Sequence, residues 1–303
     1  AEMADKELDE ISPVGDDDLA LITREPVGVV AVVTPWNFPL TLSAWKIAPA
    51  LAVGCTVVHK PADLTPLTAV RIAELALEAG IPAGVLNVLP GRGSVIGKGL
   101  GLHRAVDSLA FTGSTEVGRA YMEYAAQSNL KRVWLELGGK SPNIILPDAP
   151  DLQAAIDTAA WGIFFNTGQM CTAPSRLIVH QDVAEEVIAG VIKAAENYQP
   201  GDPFNDSTKM GPLASSSRRA EVQAHVDRAL ADGSTLALGG NSVDLSGPLA
   251  GGAYYQPTVF INVNPDSALA QEEVFGPVLS VTTVKSDEEA IQVANNSDYG
   301  LAA

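Results

Sequence analysis

Short β-branched runs recur through the first half of the chain, at Val27 to Thr34, Thr56 to His59, Val85 to Leu89, Ser108 to Phe111 and Val133 to Leu137. Helix-like segments separate them, and strands of this length alternating with helices predict parallel βαβ units in a doubly wound sheet. The helix expected over Leu67 to Ala79 has apolar positions at Val70, Ala73, Ala76 and Leu77, the spacing of one buried stripe, and Gly80 then Pro82 stop it. Ahead of the sheet, Glu2 to Ile11 reads as the tail of an amphipathic helix, with Met3, Leu8 and Ile11 apolar among charges, which suggests a chain cut at its start. Ser12 to Asp18 is a turn-rich acidic loop, and Leu19 to Glu25 reads as a strand on an edge or in an arm. Gly138-Gly139-Lys140-Ser141-Pro142 breaks the first pattern. A second α/β region follows, with helices near Leu152 to Phe165, Ala184 to Asn197 and Ser216 to Asp232, while Gly239 to Gly252, rich in Gly and Ser, reads as a surface loop. The expected division is residues 1–26 as arm and linker, 27–138 as a first domain and 139–303 as a second.

Composition narrows the function classes. With 303 residues, 47% of them hydrophobic and 18% charged, the chain has apolar material for about two cores and too little charge density for disorder. A net charge of -17 repels a phosphate backbone, so nucleic acid and anionic membrane are poor partners. The longest uncharged apolar stretches, Val27 to Val33 and Ala159 to Phe165, fall short of the ~18 residues of a membrane span. No signal peptide is visible in the acidic first ten residues. The only cysteines, Cys55 and Cys171, cannot build a disulfide framework, and a cytoplasmic location fits that usage.

In open α/β sheets ligands bind beyond the carboxyl ends of the strands, so the residues after each run carry the chemistry. Thr34-Pro35-Trp36-Asn37-Phe38-Pro39 follows the first run, and reads either as a stiff turn or as an amide placed to stabilise an oxyanion. His59-Lys60-Pro61-Ala62-Asp63 follows the second, a cation and a carboxylate that taken alone read as a solvated surface pair. Gly91 to Gly97 is one residue out of the dinucleotide fingerprint. Phe111-Thr112-Gly113-Ser114-Thr115-Glu116-Val117-Gly118 begins like a phosphate loop, but Arg119-Ala120 replaces the Lys-Ser/Thr pair, which argues against a kinase or ATPase. What is left is a turn feeding a helix N-terminus, able to bind a pyrophosphate or simply to be capped by Ser114. Glu136, beside Gly138 and Gly139, reads as a base with a raised pKa or as a helix cap. Cys55 sits in an apolar context that suits an inert core filler, whereas Cys171 lies in the polar, glycine-containing run Asn166-Thr167-Gly168-Gln169-Met170-Cys171. The histidines His59, His103, His180 and His225 have no paired spacing, so neither a His-based metal site nor a Cys/His dyad is indicated.

Taken together, Pro35-Trp36-Asn37-Phe38-Pro39, Phe111-Thr112-Gly113-Ser114, Glu136-Leu137-Gly138-Gly139-Lys140-Ser141-Pro142, Gly168-Gln169-x-Cys171 and Glu272-Glu273-Val274-Phe275-Gly276-Pro277 resemble, in order and spacing, the signatures of the NAD(P)-dependent aldehyde dehydrogenase superfamily. The resemblance covers essentially the whole chain. It implies an α/β fold with a Rossmann-type cofactor domain over 27–138 and an α/β catalytic domain over 139–303, both incomplete, preceded by part of an oligomerisation arm. It implies Cys171 as nucleophile, Glu136 as the base for the deacylating water, Asn37 as an oxyanion donor and Lys46 as a lysine near that centre. Carried over in the same way, Lys60 and Asp63 hold the adenosine ribose and Trp36 and Ser114 lie near the pyrophosphate. Thr34, Gly113 and Gly118 belong to the same cofactor surface, and Leu137, Glu273 and Phe275 position the nicotinamide riboside. The implied cofactor is NAD, with NADP possible because Asp63 stands where many NAD-preferring members have Glu. Ile11 to Pro26, Lys131 to Trp134 and Asn197 to Gly201 look most like the branch acting on γ-glutamyl-aminobutyraldehyde and other amino aldehydes. The implied partners are an aldehyde substrate and further copies of the chain. Against an active enzyme stand a catalytically silent relative that only binds nucleotide or partner subunits, and a thiol esterase using Cys171 without nicotinamide.

Overall fold

The computed structural model describes residue 6 and residues 8–303, which divide into two compact units, Ala1–Leu137 and Gly138–Ala303. Half of the helix expected over Glu2 to Ile11 lies outside the described residues, and its end is strand instead: β1 (Glu10–Ser12) pairs antiparallel with β2 (Ala20–Ile22).

The first unit is built on a five-stranded parallel sheet from β3 (Val29–Val33), β4 (Thr56–Lys60), β5 (Leu86–Val88), β6 (Ser108–Thr112) and β7 (Arg132–Glu136), in the order β5-β4-β3-β6-β7. The helices α1 (Pro39–Ala52), α2 (Leu67–Glu78), α3 (Lys98–Leu102) and α4 (Thr115–Ala126) connect them. The period of two along β3 sorts its residues between two cores. Val30 and Val32 pack with Ile47 and Val57, while Ala31 and Val33 pack with Leu109, Phe111 and Tyr121. Burial of each large aliphatic side chain contributes about 1.5–3 kcal/mol, which holds the central strands together. The α2 stripe differs from expectation. Ala69 is buried with Ile72, Ala73 and Ala76 beside it, whereas Val70 and Leu77 are exposed. Of the expected stripe, Ala73 and Ala76 thus face inward while Val70 and Leu77 do not.

The second unit contains β8 (Pro142–Ile145), α5 (Leu152–Phe164), β9 (Arg176–His180), α6 (Gln181–Ala195), α7 (Ser216–Ala231), β10 (Thr235–Leu238), β11 (Ser242–Val243), β12 (Tyr254–Tyr255), β13 (Thr258–Ile261), α8 (Ala268–Gln271), β14 (Val278–Val284) and α9 (Asp287–Asn295). Its main sheet runs β10-β13-β14-β9-β8, parallel except for β10. On one face α5 and α6 pack Ile163, Phe164, Val187 and Val191 against Leu177, Val179, Leu279 and Val281; on the other α7 packs Val222 and Val226 against Phe260 and Val278. The Gly239 to Gly252 segment is not loop throughout, because β11 pairs with β12 within and after it. No helix among the described residues is long and apolar enough to cross a membrane.

Candidate active site

In the first unit the chain adds β4 and β5 on one side of β3 and then β6 and β7 on the other. The strand order therefore reverses between β3 and β6, the place where a doubly wound sheet offers a ligand site beyond the carboxyl ends of its strands. Register places Val33 beside both Lys60 and Phe111, and Thr112 beside Glu136, so the motifs after β3, β4, β6 and β7 share one edge.

Thr34 ends β3 as a buried hydroxyl, 3.0 Å from Nε2 of His59 and 3.4 Å from Oγ of Ser43. Ser43, on α1, lies 3.3 Å from the same Nε2 and donates to the Pro39 carbonyl at 2.5 Å. This buried knot ties the Thr34 to Phe38 turn to α1, which starts at Pro39 with proline where a missing N–H costs nothing. Burial, with the Lys60 charge beside it, pushes the His59 pKa down to about 4, so the imidazole is neutral. Trp36 and Asn37 are half-buried in that turn. Lys46, further along α1, is half-buried; burial lowers its ammonium pKa and the Glu136 carboxylate opposes that, which brings the two into electrostatic reach. Glu136 itself is exposed at the end of β7.

Lys60 and Asp63 are not a solvated pair. The Lys60 side chain is 5% exposed, and its Nζ donates to Asp63 Oδ1 at 2.8 Å and to the Pro61 carbonyl at 2.7 Å. The lysine is thus fixed at the strand end with its charge compensated by a half-exposed carboxylate. Beyond β6, Ser114 caps α4 by accepting from the Val117 N–H at 3.3 Å. A side chain at Gly113 would strike the Phe111 ring, and a Cβ at Gly118 would lie 2.6 Å from the Leu137 side chain, so glycine permits both approaches. A helix N-terminus beyond β6, a fixed cation beyond β4 and close helix–strand packing at the switch point fit a dinucleotide. The off-spacing Gly91 to Gly97 run forms a π-helical turn over Gly93–Gly97 that leads into α3.

In the second unit three motif segments distant in sequence converge. Asn166, Thr167 and Gly168 take positive φ of 48°, 57° and 68° in the turn before Cys171. Left-handed backbone at a β-branched residue costs on the order of 1–3 kcal/mol and is held by its surroundings. Thr167 Oγ1 donates to the Gly211 carbonyl at 3.1 Å, and the buried Gln169 accepts from the Ala214 N–H at 2.9 Å and donates to the Asn166 carbonyl at 3.2 Å. Any side chain at Gly168 would collide with the Gly276 carbonyl, and any at Gly139 with the Cys171 carbonyl. The half-buried Cys171 thiol is therefore presented on a turn wedged between the Gly138-Gly139 and Glu273 to Gly276 segments, while Cys55 is buried in the other unit. Glu273 closes the group: its carboxylate accepts the Gly139 N–H at 3.1 Å and covers Gly138 so closely that no Cβ fits there. Burial raises the Glu273 pKa, opposed by the Gly139 N–H and by the charges of Lys140 and Arg218. Phe275, half-buried, follows with φ 53°. Among the described residues no cluster of His, Cys, Asp and Glu can hold a metal ion.

The family model for the aldehyde dehydrogenase family matches residues 1–303. The chain belongs to the aldehyde dehydrogenase family. It is 46% identical over its whole length to the "NADP/NAD-dependent aldehyde dehydrogenase PuuC" of Escherichia coli, of which it covers 60%. It superposes with TM-score 0.96 and 51% identity on an indole-3-acetaldehyde dehydrogenase of P. syringae solved with NAD+, covering 99% of this chain and 60% of that one. A γ-glutamyl-γ-aminobutyraldehyde dehydrogenase from Burkholderia cenocepacia matches with TM-score 0.95 and 52% identity, again over 99% of this chain and 60% of that one. The chain thus spans about 60% of the length of the relatives it matches.

His59, Ser43, Thr167, Lys140 and Arg218 are the site residues that sequence reasoning passed over. Asn166 carried a local signal, since Asn tolerates the left-handed region. Thr167 carried none, because β-branched residues avoid it.

Proposed function

We propose that this chain carries the thiol and cofactor machinery of an NAD(P)-dependent aldehyde dehydrogenase, with Cys171 as nucleophile. The observation that supports this best is the strained turn that presents a half-buried Cys171 between Gly139 and Gly276, a backbone arrangement no inert core cysteine requires. In this reading residues 27–138 form the cofactor domain and 139–303 the catalytic domain.

The Cys171 thiolate adds to the aldehyde carbon, and the carbonyl electrons become an alkoxide that the Asn37 amide and the Cys171 N–H stabilise. Lys46 contributes a positive field near the Glu136 side of the site. NAD(P), with NAD preferred, would supply the acceptor for the hydride that leaves that carbon when the alkoxide collapses. Lys60 and Asp63 would hold the adenosine ribose and Trp36 and Ser114 would lie near the pyrophosphate; Thr34, Gly113 and Gly118 belong to the same cofactor surface, and Leu137, Glu273 and Phe275 would position the nicotinamide riboside. A thioester remains on Cys171. Glu136 takes a proton from water, the resulting hydroxide attacks the thioester carbon, the C–S bond breaks, and the thiolate is regenerated with release of the carboxylic acid. An amino aldehyde is the proposed substrate class, in keeping with the γ-glutamyl-γ-aminobutyraldehyde dehydrogenase likeness. Assembly with further copies of the chain and a cytoplasmic site of action are part of the same reading.

The test is reduced-cofactor absorbance on mixing the chain with NAD and short aliphatic, aromatic or amino aldehydes. Signal with one class and none from Cys171→Ala supports the assignment. NAD binding without any reduction refutes it in favour of a silent relative, and full turnover by Cys171→Ala removes the nucleophile.

A further inference from the structure

The Lys140 ammonium is among the buried polar groups of the second unit that lack a hydrogen-bond partner. The side chain is buried at 1% exposure, and its Nζ has no hydrogen-bond partner. Burial and the neighbouring Arg176 charge lower its pKa to about 7, and only the carboxylates of Glu273 and Glu272 act in the opposite sense. A buried cation without a partner costs several kcal/mol unless a charge nearby compensates it. A methionine of similar volume would fill the same space without that penalty. The charge therefore serves something other than packing.

Arg218, on α7, is partly buried and only in part satisfied. Its Nε is buried without a partner, while Nη2 donates to the Val274 carbonyl at 3.2 Å and Nη1 pairs with Glu221 at 2.8 Å. One face of α7 thus grips the segment that carries Glu273: Arg218 holds the backbone just after it, Val222 seats against Gly276 with a Cβ there only 2.5 Å away, and Arg228 pairs with Glu272 just before it. Residues 218, 222 and 225 recur at helical spacing on that face, and His225 stands 3.9 Å from Glu272. Lys140 is adjacent in the chain to the Gly139 whose N–H the Glu273 carboxylate accepts.

We infer that Lys140 and Arg218 are positioning residues for Glu273: Arg218 holds the backbone next to it, the Lys140 charge lies one residue from the Gly139 amide that its carboxylate accepts, and together they keep that carboxylate seated on the Gly138-Gly139 turn and thereby set the affinity for a nicotinamide dinucleotide. The last clause rests on the reading of Glu273 as a cofactor contact; the seating does not. Neither residue touches the cofactor or the reacting atoms in this account. Both act through the Glu273 carboxylate.

The experiment follows the Gly139 amide by hydrogen exchange and the NAD dissociation constant by calorimetry, in the wild-type chain, Lys140→Met, Arg218→Met, Arg218→Lys, Glu273→Gln and the doubles with Glu273→Gln. Circular dichroism checks the fold of each. Loss of either charge is expected to speed Gly139 exchange and weaken NAD binding by about tenfold each. Arg218→Lys recovers most of both, and neither methionine variant adds to the effect of Glu273→Gln, a coupling that general loosening of the fold would not produce. Wild-type exchange at Gly139 in folded Lys140→Met and Arg218→Met overturns the positioning role, as do effects that add fully to Glu273→Gln. Faster exchange in Glu273→Gln with NAD affinity unchanged, or no NAD uptake by the wild-type chain, overturns the cofactor contact instead.

Discussion

Lowering the pH from 7 to 5 should destabilise the first unit through one side chain, His59. Its imidazole is fully buried, bonded through Nε2 to Thr34 and Ser43, and held to a pKa of about 4 first by burial and then by the Lys60 charge. In the unfolded chain the pKa returns to 6.5. Between the two values the unfolded state binds the proton and the native state does not, so stability rises with pH across that window. The His59 contribution is complete above pH 6.5, is lost progressively as pH falls, and levels off below about pH 4. The whole shift corresponds to about 3 kcal/mol, of which about 2 kcal/mol is gone by pH 5. That is a large fraction of a typical domain's stability. Urea midpoints at pH 7 and pH 5 for the wild-type chain and His59→Gln measure it: the variant is less stable at pH 7, but the gap between the two closes at pH 5. Parallel pH dependences, or a His59 ring resonance titrating near pH 6, would refute the reasoning.

Three further outcomes follow from the geometry. Glu136→Gln should give one burst of reduced cofactor and little turnover, since only the deacylating water needs the carboxylate; a full steady-state rate would remove Glu136 from the role of base. Asn37→Ala should lower kcat by about 10²–10³ with little change in thiol alkylation rate, the usual loss for one oxyanion donor, and an unchanged kcat would return Asn37 to the stiff-turn reading. Gly168→Ala combines a left-handed φ of 68° with a collision against the Gly276 carbonyl, so it should destabilise the second unit by at least about 2 kcal/mol; a thermal midpoint equal to wild type would show that the turn can move aside.

The residues that announce chemistry in this chain do so because their requirement is local. Pro35 and Pro39 bracket Asn37, Gly138 and Gly139 follow Glu136, and Gly168 precedes Cys171, each at a place where backbone sterics tolerate little else. The β-branched runs of the first unit are legible for a similar reason, as strands buried on both faces are continuous in Val and Ile. The strands of the second unit, such as Arg176–His180 and Val278–Val284, were not singled out, because a short apolar run reads equally as a piece of buried helix. On α2 the expected stripe named Ala73 and Ala76, which face inward with Ala69 and Ile72, but also Val70 and Leu77, which are exposed, because apolar content alone does not tell which side of a helix its neighbours cover.

On its own the sequence determined the parallel sheet of the first unit, through its alternating strands and helices, and, through the resemblance of its ordered motifs, the family and the nucleophile and base candidates. Tertiary structure alone decided that Lys60 is buried rather than solvated, that His59 is a neutral knot under the Thr34 turn, and that the Gly139 amide meets the Glu273 carboxylate while Arg218 holds the Val274 carbonyl. The physical reason is that backbone demands are met by neighbours in sequence, whereas burial and electrostatic pairing depend on which distant segments packing brings within a few ångströms, and no local pattern encodes that distance.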